Sequence, residues 1–184
     1  MSAKVRVAFL LSFVLALFAV TGCESEVKKK QRKERELVVN ASQKIEAALK
    51  KTKTVQDNFL KEVKSLSPNS GEGKLHELKK FFTESEKTFR DLDKELRKIE
   101  LPDSLVSDRF KKSYQDLFES LIEMFAGFNK NYDAVNSNSW DTKTKLGHVV
   151  RNIGYTDFSF LDLETTEMIN CFKDMCKHYS VPLK

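Results

Sequence analysis

Glycine and proline are scarce in this chain, at 6 and 3 of 184 residues. That excludes collagen-like and Gly/Pro-rich disordered classes, and it weighs against an all-β sandwich, whose many turns need both. Cysteine numbers only 3, too few for a four-cysteine zinc site. Histidine is limited to His76, His148 and His178. The residues three positions ahead of them are Gly73, Lys145 and Met175, so the paired Glu-x-x-His of di-iron bundles is missing. His76-Glu77 does not open a zinc H-E-x-x-H, because Lys80 holds its last position. The nucleophile elbow G-x-S-x-G, the phosphate loop G-x-x-x-x-G-K-[ST] and the dinucleotide turn G-x-G-x-x-G are likewise lacking. Charge of one sign is not in large excess: 32 Lys and Arg face 27 Asp and Glu, for a net +5. A nucleic-acid surface wants an unbalanced basic patch. The expectation is therefore no catalytic residue, no metal, no cofactor and no nucleic-acid partner.

Long apolar runs are absent after the first 22 residues. The chain opens MSAKVRVAFLLSFVLALFAVTGC. Lys4 and Arg6 give a short basic start, and from Val7 to Val20 only Ser12 is polar. About fourteen apolar residues fall short of the ~20 needed to span a bilayer, and they have the length and flanks of an export signal. The end of this segment, Val20-Thr21-Gly22-Cys23, resembles the lipobox of bacterial lipoproteins, with Val20 standing where leucine is usual. The resemblance covers residues 1–23 only. It implies cleavage after Gly22, acylation of Cys23, attachment to a membrane through the acyl chains, and a place in the bacterial cell envelope on the extracytoplasmic side. Acylation also makes physical sense: each buried CH₂ is worth ~0.8 kcal/mol, and two or three chains anchor stably where one does not. The competing readings are an uncleaved anchor helix and an ordinary signal that leaves Cys23 unmodified.

The expected organisation is a signal peptide over 1–22, the lipid-bearing Cys23 with a polar tether over 23–36, and a helical domain over 37–184. The tether, CESEVKKKQRKERE, interleaves bases with Glu24, Glu26, Glu34 and Glu36. It reads as a solvated lead into a helix, with some attraction to anionic headgroups.

From Leu37 onward a single period dominates. Val38, Ala41, Ile45, Ala48, Thr52, Val55 and Phe59 step by three and four, the stripe that keeps one helix face on a partner. Ser67-Pro68-Asn69-Ser70-Gly71 ends this segment. Leu75, Leu78, Phe82, Ser85, Phe89, Leu92, Leu96 and Ile99 mark a second stripe, closed by Pro102, with Asp103 or Ser104 able to cap the next helix. The third stripe is the broadest: Phe110, Tyr114, Leu117, Leu121, Met124 and Phe128, widened by Phe118, Ile122 and Phe125. After the polar Asn136–Ser139 stretch, Leu146, Val149, Val150 and Ile153 suit a helix, Gly154 is a candidate stop, and Phe158 to Tyr179 resume the spacing. The expected fold is all-α: an antiparallel up-and-down four-helix bundle whose fourth helix is kinked or split near Gly154.

Cys171 and Cys176 form a candidate disulfide in an oxidising exported compartment. On a continuous helix five residues separate them by about 7.5 Å of rise and 140° of rotation, so a bridge needs the helix to end or loosen there. The same stretch, with His178 two residues on, resembles the attachment site of c-type haem proteins such as the cytochromes c′. It departs from C-x-x-C-H in having four spacer residues, and Lys177 stands before the histidine. Trp140, in a polar loop, reads either as a cap on the bundle or as an anchor for a partner. Two functions are open at this point. One is a lipid-anchored envelope protein that acts by contact with other envelope proteins. The other is an exported bundle that holds an apolar ligand or haem between its helices.

Overall fold

The structure, a computed structural model, describes residues 25–67 and 70–183. The expected signal, Cys23 and the Pro68-Asn69 turn lie outside the described residues. Among those described, the chain is all-helical, with no strand, and it forms a helical bundle around one hydrophobic core. The five helices are α1 (Glu26–Ser65), α2 (Glu72–Leu96), α3 (Leu105–Asn136), α4 (Thr142–Gly154) and α5 (Ser159–His178).

Capping chemistry sets most of the boundaries. Ser25 accepts a bond from the N–H of Lys28 at the start of α1, Ser104 one from Ser107, and Asp141 one from Thr144 at 2.7 Å. Each satisfies a backbone donor that the first helical turn leaves orphaned. The two Thr144 contacts, backbone first, hold the Asp141 carboxyl below its usual range. Helix α1 begins at Glu26, so most of the segment expected as a tether is its exposed first turns. Gly154 is the last residue of α4, but no glycine among the described residues has positive φ. The stop is therefore not a left-handed glycine cap. Instead the Asp157 carboxylate accepts from the N–H of Ser159 at 2.9 Å and starts α5. At the far end of α5 the left-handed residue is Ser180, at φ 53°. The Val181 N–H bonds back to the Cys176 carbonyl at 2.8 Å, closing a Schellman-type turn.

Helix α3 is the centre of the packing, lying most extensively against α2 and α5, with α4 next. Contact pairs fix how its neighbours meet it. Lys79 pairs with Asp133 at 2.8 Å and Arg97 with Glu119 at 3.5 Å. Ser120 donates to Glu164 at 3.0 Å, Phe110 meets Phe172, and the Tyr179 hydroxyl donates to Ser104 at 2.8 Å. Helix α1 joins through the Glu62–Lys74 pair at 2.6 Å and the Phe59 ring, which contacts Phe81, Phe128 and Phe158.

The α1 stripe carries one polar misfit. Thr52 is buried, and its hydroxyl has no hydrogen-bond partner. An unmet buried hydroxyl costs about 1–3 kcal/mol, whereas the isosteric valine removes that cost. Thr52→Val is expected to raise stability by about 1 kcal/mol, seen as a higher urea midpoint at unchanged slope. A lower midpoint would show that the hydroxyl is satisfied in solution.

Candidate functional site

A concave feature with an apolar floor lies between α1 and α2. It arises from side-chain size. Alanines at 47 and 48 face Leu92, Leu96 and Ile99, and the short α1 side chains do not fill the space between the two backbones. The packing of α1 against α2 is accordingly less extensive than that of α3 against α2 or α5. What remains is a groove of about 450 Å³, within the range typical of small-molecule sites. Ala48, Leu92 and Leu96 form its buried floor, Ile99 is half-buried, and Ala47 is exposed at the edge.

The rim is charged. Lys44, Lys51, Lys98 and Glu95 line the groove, and all four are exposed. None of the three lysines makes an ion pair among the described residues, although ten other cations of the chain do. A second hollow of about 320 Å³ adjoins it, lined by Leu37, Asn40, Ala41 and Glu100. Lys44, Lys98 and Ile99 belong to both, so the two form one trough with a pair of lysines at its middle. Chemically, this arrangement offers desolvation to a slender apolar body and two ammonium groups to an anion.

A different hollow, about 380 Å³, separates α3 from α4 and α5 and is lined by Ser120, Glu123, Asn152 and Thr156 among others. Next to it, Ser120 occupies one oxygen of Glu164, while the other oxygen is buried without a partner.

The residues singled out from sequence are dispersed. Cys23 lies outside the described residues. Cys171 and Cys176 are buried free thiols on one unbroken helix, so the candidate disulfide is not formed. The reason is the helical rise and rotation between them, since α5 neither ends nor loosens before His178. Burial, with the Glu46 carboxylate adding to it, pushes the Cys176 thiol up to about 11. The two cysteines are 5% and 0% exposed, leaving no opening for a haem edge, and His178 lies edge-on to Tyr179 at 4.7 Å. These residues do not fit a covalently attached haem. His76 is exposed on α2, and His148 stacks on Trp140 at 4.4 Å with the rings 15° apart. Trp140 thus covers the start of α4 while remaining 41% exposed. No group of three metal-capable side chains occurs among the described residues. No described helix is long and apolar enough to cross a membrane.

The groove itself was not anticipated from sequence. Its signal was present in the paired alanines 47 and 48 between lysines 44 and 51, at the edge of the first stripe. Comparison of the chain with known protein families, with curated proteins and with solved structures returns no match.

Proposed function

We propose that this is a lipid-anchored helical protein of the bacterial cell envelope whose work is contact rather than catalysis. The observation that carries the reading is a juxtaposition. The lipobox-like Val20-Thr21-Gly22-Cys23 ends three residues ahead of Glu26, where a 40-residue helix begins. An acyl group on Cys23 would thus sit almost at the helix start, and the anchor would orient the bundle as well as retain it. The first turns of α1 suit that position. Lys30 and Arg32 are paired with Glu34 and Glu36, but Lys28, Lys29, Lys33 and Arg35 form no ion pair among the described residues and are free to meet anionic headgroups.

We read the bundle as an up-and-down antiparallel one, with α4 and α5 together standing as a split fourth rod. The contact pairs support this: along α2 and α3, and again along α3 and α5, residue numbers rise on one helix as they fall on its partner. The contact-only role is supported by the employment of the acids. Glu84, Glu86 and Asp93 are engaged with Lys80, Arg90 and Arg97 on their own helix, which suits a solvated face rather than acid–base work. The partner would be one or more envelope proteins, with Trp140 a candidate contact.

Intact mass and fractionation test the anchor. The expected wild-type product is found with the membrane, begins at Cys23 and carries the added mass of its acyl groups. Cys23→Ser is expected to move it out of the membrane fraction, and globomycin to block processing. An unprocessed, acyl-free chain in the cytoplasm would overturn the reading. A second reading, a bundle that holds an apolar ligand, is favoured by the groove between α1 and α2.

A further inference from the structure

We infer that the trough between α1 and α2 binds a free fatty acid, its carboxylate held by Lys44 and Lys98 and its chain laid over Ala47, Ala48, Leu92 and Leu96. This deepens the ligand-binding reading and rests on it, but it needs no acyl group on Cys23.

Three features select the occupant. The first is size: nine residues line the main groove, whereas a stable protein interface engages about 20–30 residues a side. A groove floored by Ala48, Leu92 and Leu96 presents too little surface to seat a second helix, roughly 10 Å across, but enough for a single acyl chain. The second is charge. The trough holds three unpaired lysines against Glu95 and Glu100, and the two lysines that line both hollows come from different segments, Lys44 from α1 and Lys98 from the turn just after α2. Lys98 also follows the C-terminal end of α2, whose partial negative charge favours a cation there. The third is the division of the trough. Its apolar floor runs from Ile99 toward Leu92, away from the lysine pair, so headgroup and tail have separate places. The Lys51 stem, on the same face as Lys44 and about 10 Å along the helix axis, can cover the far end of the chain with its methylenes.

The test uses the full chain in phosphatidylcholine nanodiscs, exposed to a diazirine-bearing palmitate and irradiated, with labelled peptides mapped by mass spectrometry. Label is expected to concentrate on peptides spanning 37–51 and 92–100. Laurate is expected to compete for it roughly fifteenfold better than decanoate, the gain from two buried methylenes. The double variant K44E/K98E should lower labelling tenfold or more. Ala47→Phe, which fills the groove from an exposed position, should do the same while leaving the circular-dichroism spectrum unchanged. Added salt should weaken labelling, because the lysines are exposed. Label spread over all helices, or labelling unaffected by both variants, would overturn the inference. So would equal labelling of the same peptides by the matching neutral fatty alcohol, which would mean an apolar hollow with no anion site. Labelling that appears only when anionic phospholipid is added to the discs would assign the lysines to a bilayer surface and would also overturn it. Failure here is distinct from failure of the anchor: intact mass reads Cys23 alone, and the label map reads the trough alone.

Discussion

Phe125→Ala is expected to cost about 3–5 kcal/mol of folding stability, the range for truncating a fully buried aromatic. Phe125 is 1% exposed on α3, and its ring lies 5.6 to 6.4 Å from those of Phe59, Phe81, Phe82, Phe89 and Phe128. These neighbours belong to α1, α2 and α3, so the ring joins three helices. Its loss removes transfer free energy and edge-to-face contacts, and it leaves a cavity walled by other large rings that cannot easily collapse. The measurement is urea denaturation, with a lower midpoint at unchanged slope. Leu163→Ala is the control. Leu163 is 70% exposed on α5, and a surface truncation of this kind falls within about 0.5 kcal/mol of wild type. If the two variants cost the same, α3 is not the centre of the core.

The position of Phe125 also shows what spacing reveals and where it stops. The first two stripes were legible almost residue by residue. Val38, Ala41, Ile45, Ala48, Thr52 and Phe59 are all buried, and so are Leu75, Leu78, Phe82, Ser85, Phe89, Leu92 and Leu96. A three-four alternation is close enough to 3.6 over a few turns to mark the inward face. On α3 the same alternation selected Met124, which is half-buried, with Phe125 only a widening residue. The buried face of α3 is broad, taking in Tyr114, Leu117 and Phe118 as well as Leu121, Phe125 and Phe128, and on so wide a face a three-four alternation can step onto its edge. Caps were readable where a Ser or Asp stood before an apolar run, as at Ser104. The break after Gly154 was readable as a place but not as a mechanism, because Asp157 supplies it through a bond to Ser159. The trough left only a faint trace in the sequence, the alanines 47 and 48 between lysines 44 and 51. Its volume depends on how far α2 stands from α1, a tertiary distance that no local spacing encodes, and alanine in a stripe signals burial as readily as vacancy. The candidate disulfide turned on whether α5 continues past Cys176, and a Pro at 182 does not reveal whether the helix ends one turn earlier.

Raising the pH from about 9 to 11 is expected to remove about 2–3 kcal/mol of stability through Cys176 alone. The thiol would lose its proton near 9.0 in an unfolded chain, but burial, with the Glu46 carboxylate second, holds it to about 11 in the folded one. Below pH 9 both states are protonated, and the contribution is present in full. Between the two values only the folded state retains the proton, so stability falls with pH at 1.36 kcal/mol per unit. Past 11 both states are ionised and the contribution is gone. Tyr114 and Tyr132 act with the same sign, since burial first of all raises both phenols above their ordinary value of 10.0. Lys74 joins them: the Glu62 hydrogen bond raises its ammonium above 10.5, and that pair is lost as the proton leaves. Urea midpoints taken from pH 8 to 11 should therefore decline steeply, and Cys176→Ala should flatten the first part of the decline at a small cost near neutrality. Thiol reagents give an independent reading. Cys176 is 0% exposed, and its thiolate is depleted about a hundredfold relative to the free thiol below pH 9. Its modification should therefore track global unfolding. Fast labelling of Cys176 in the folded protein, together with a stability curve that stays level to pH 10.5, would mean that α5 opens at its C-terminal end and that the Val181 turn does not seal it.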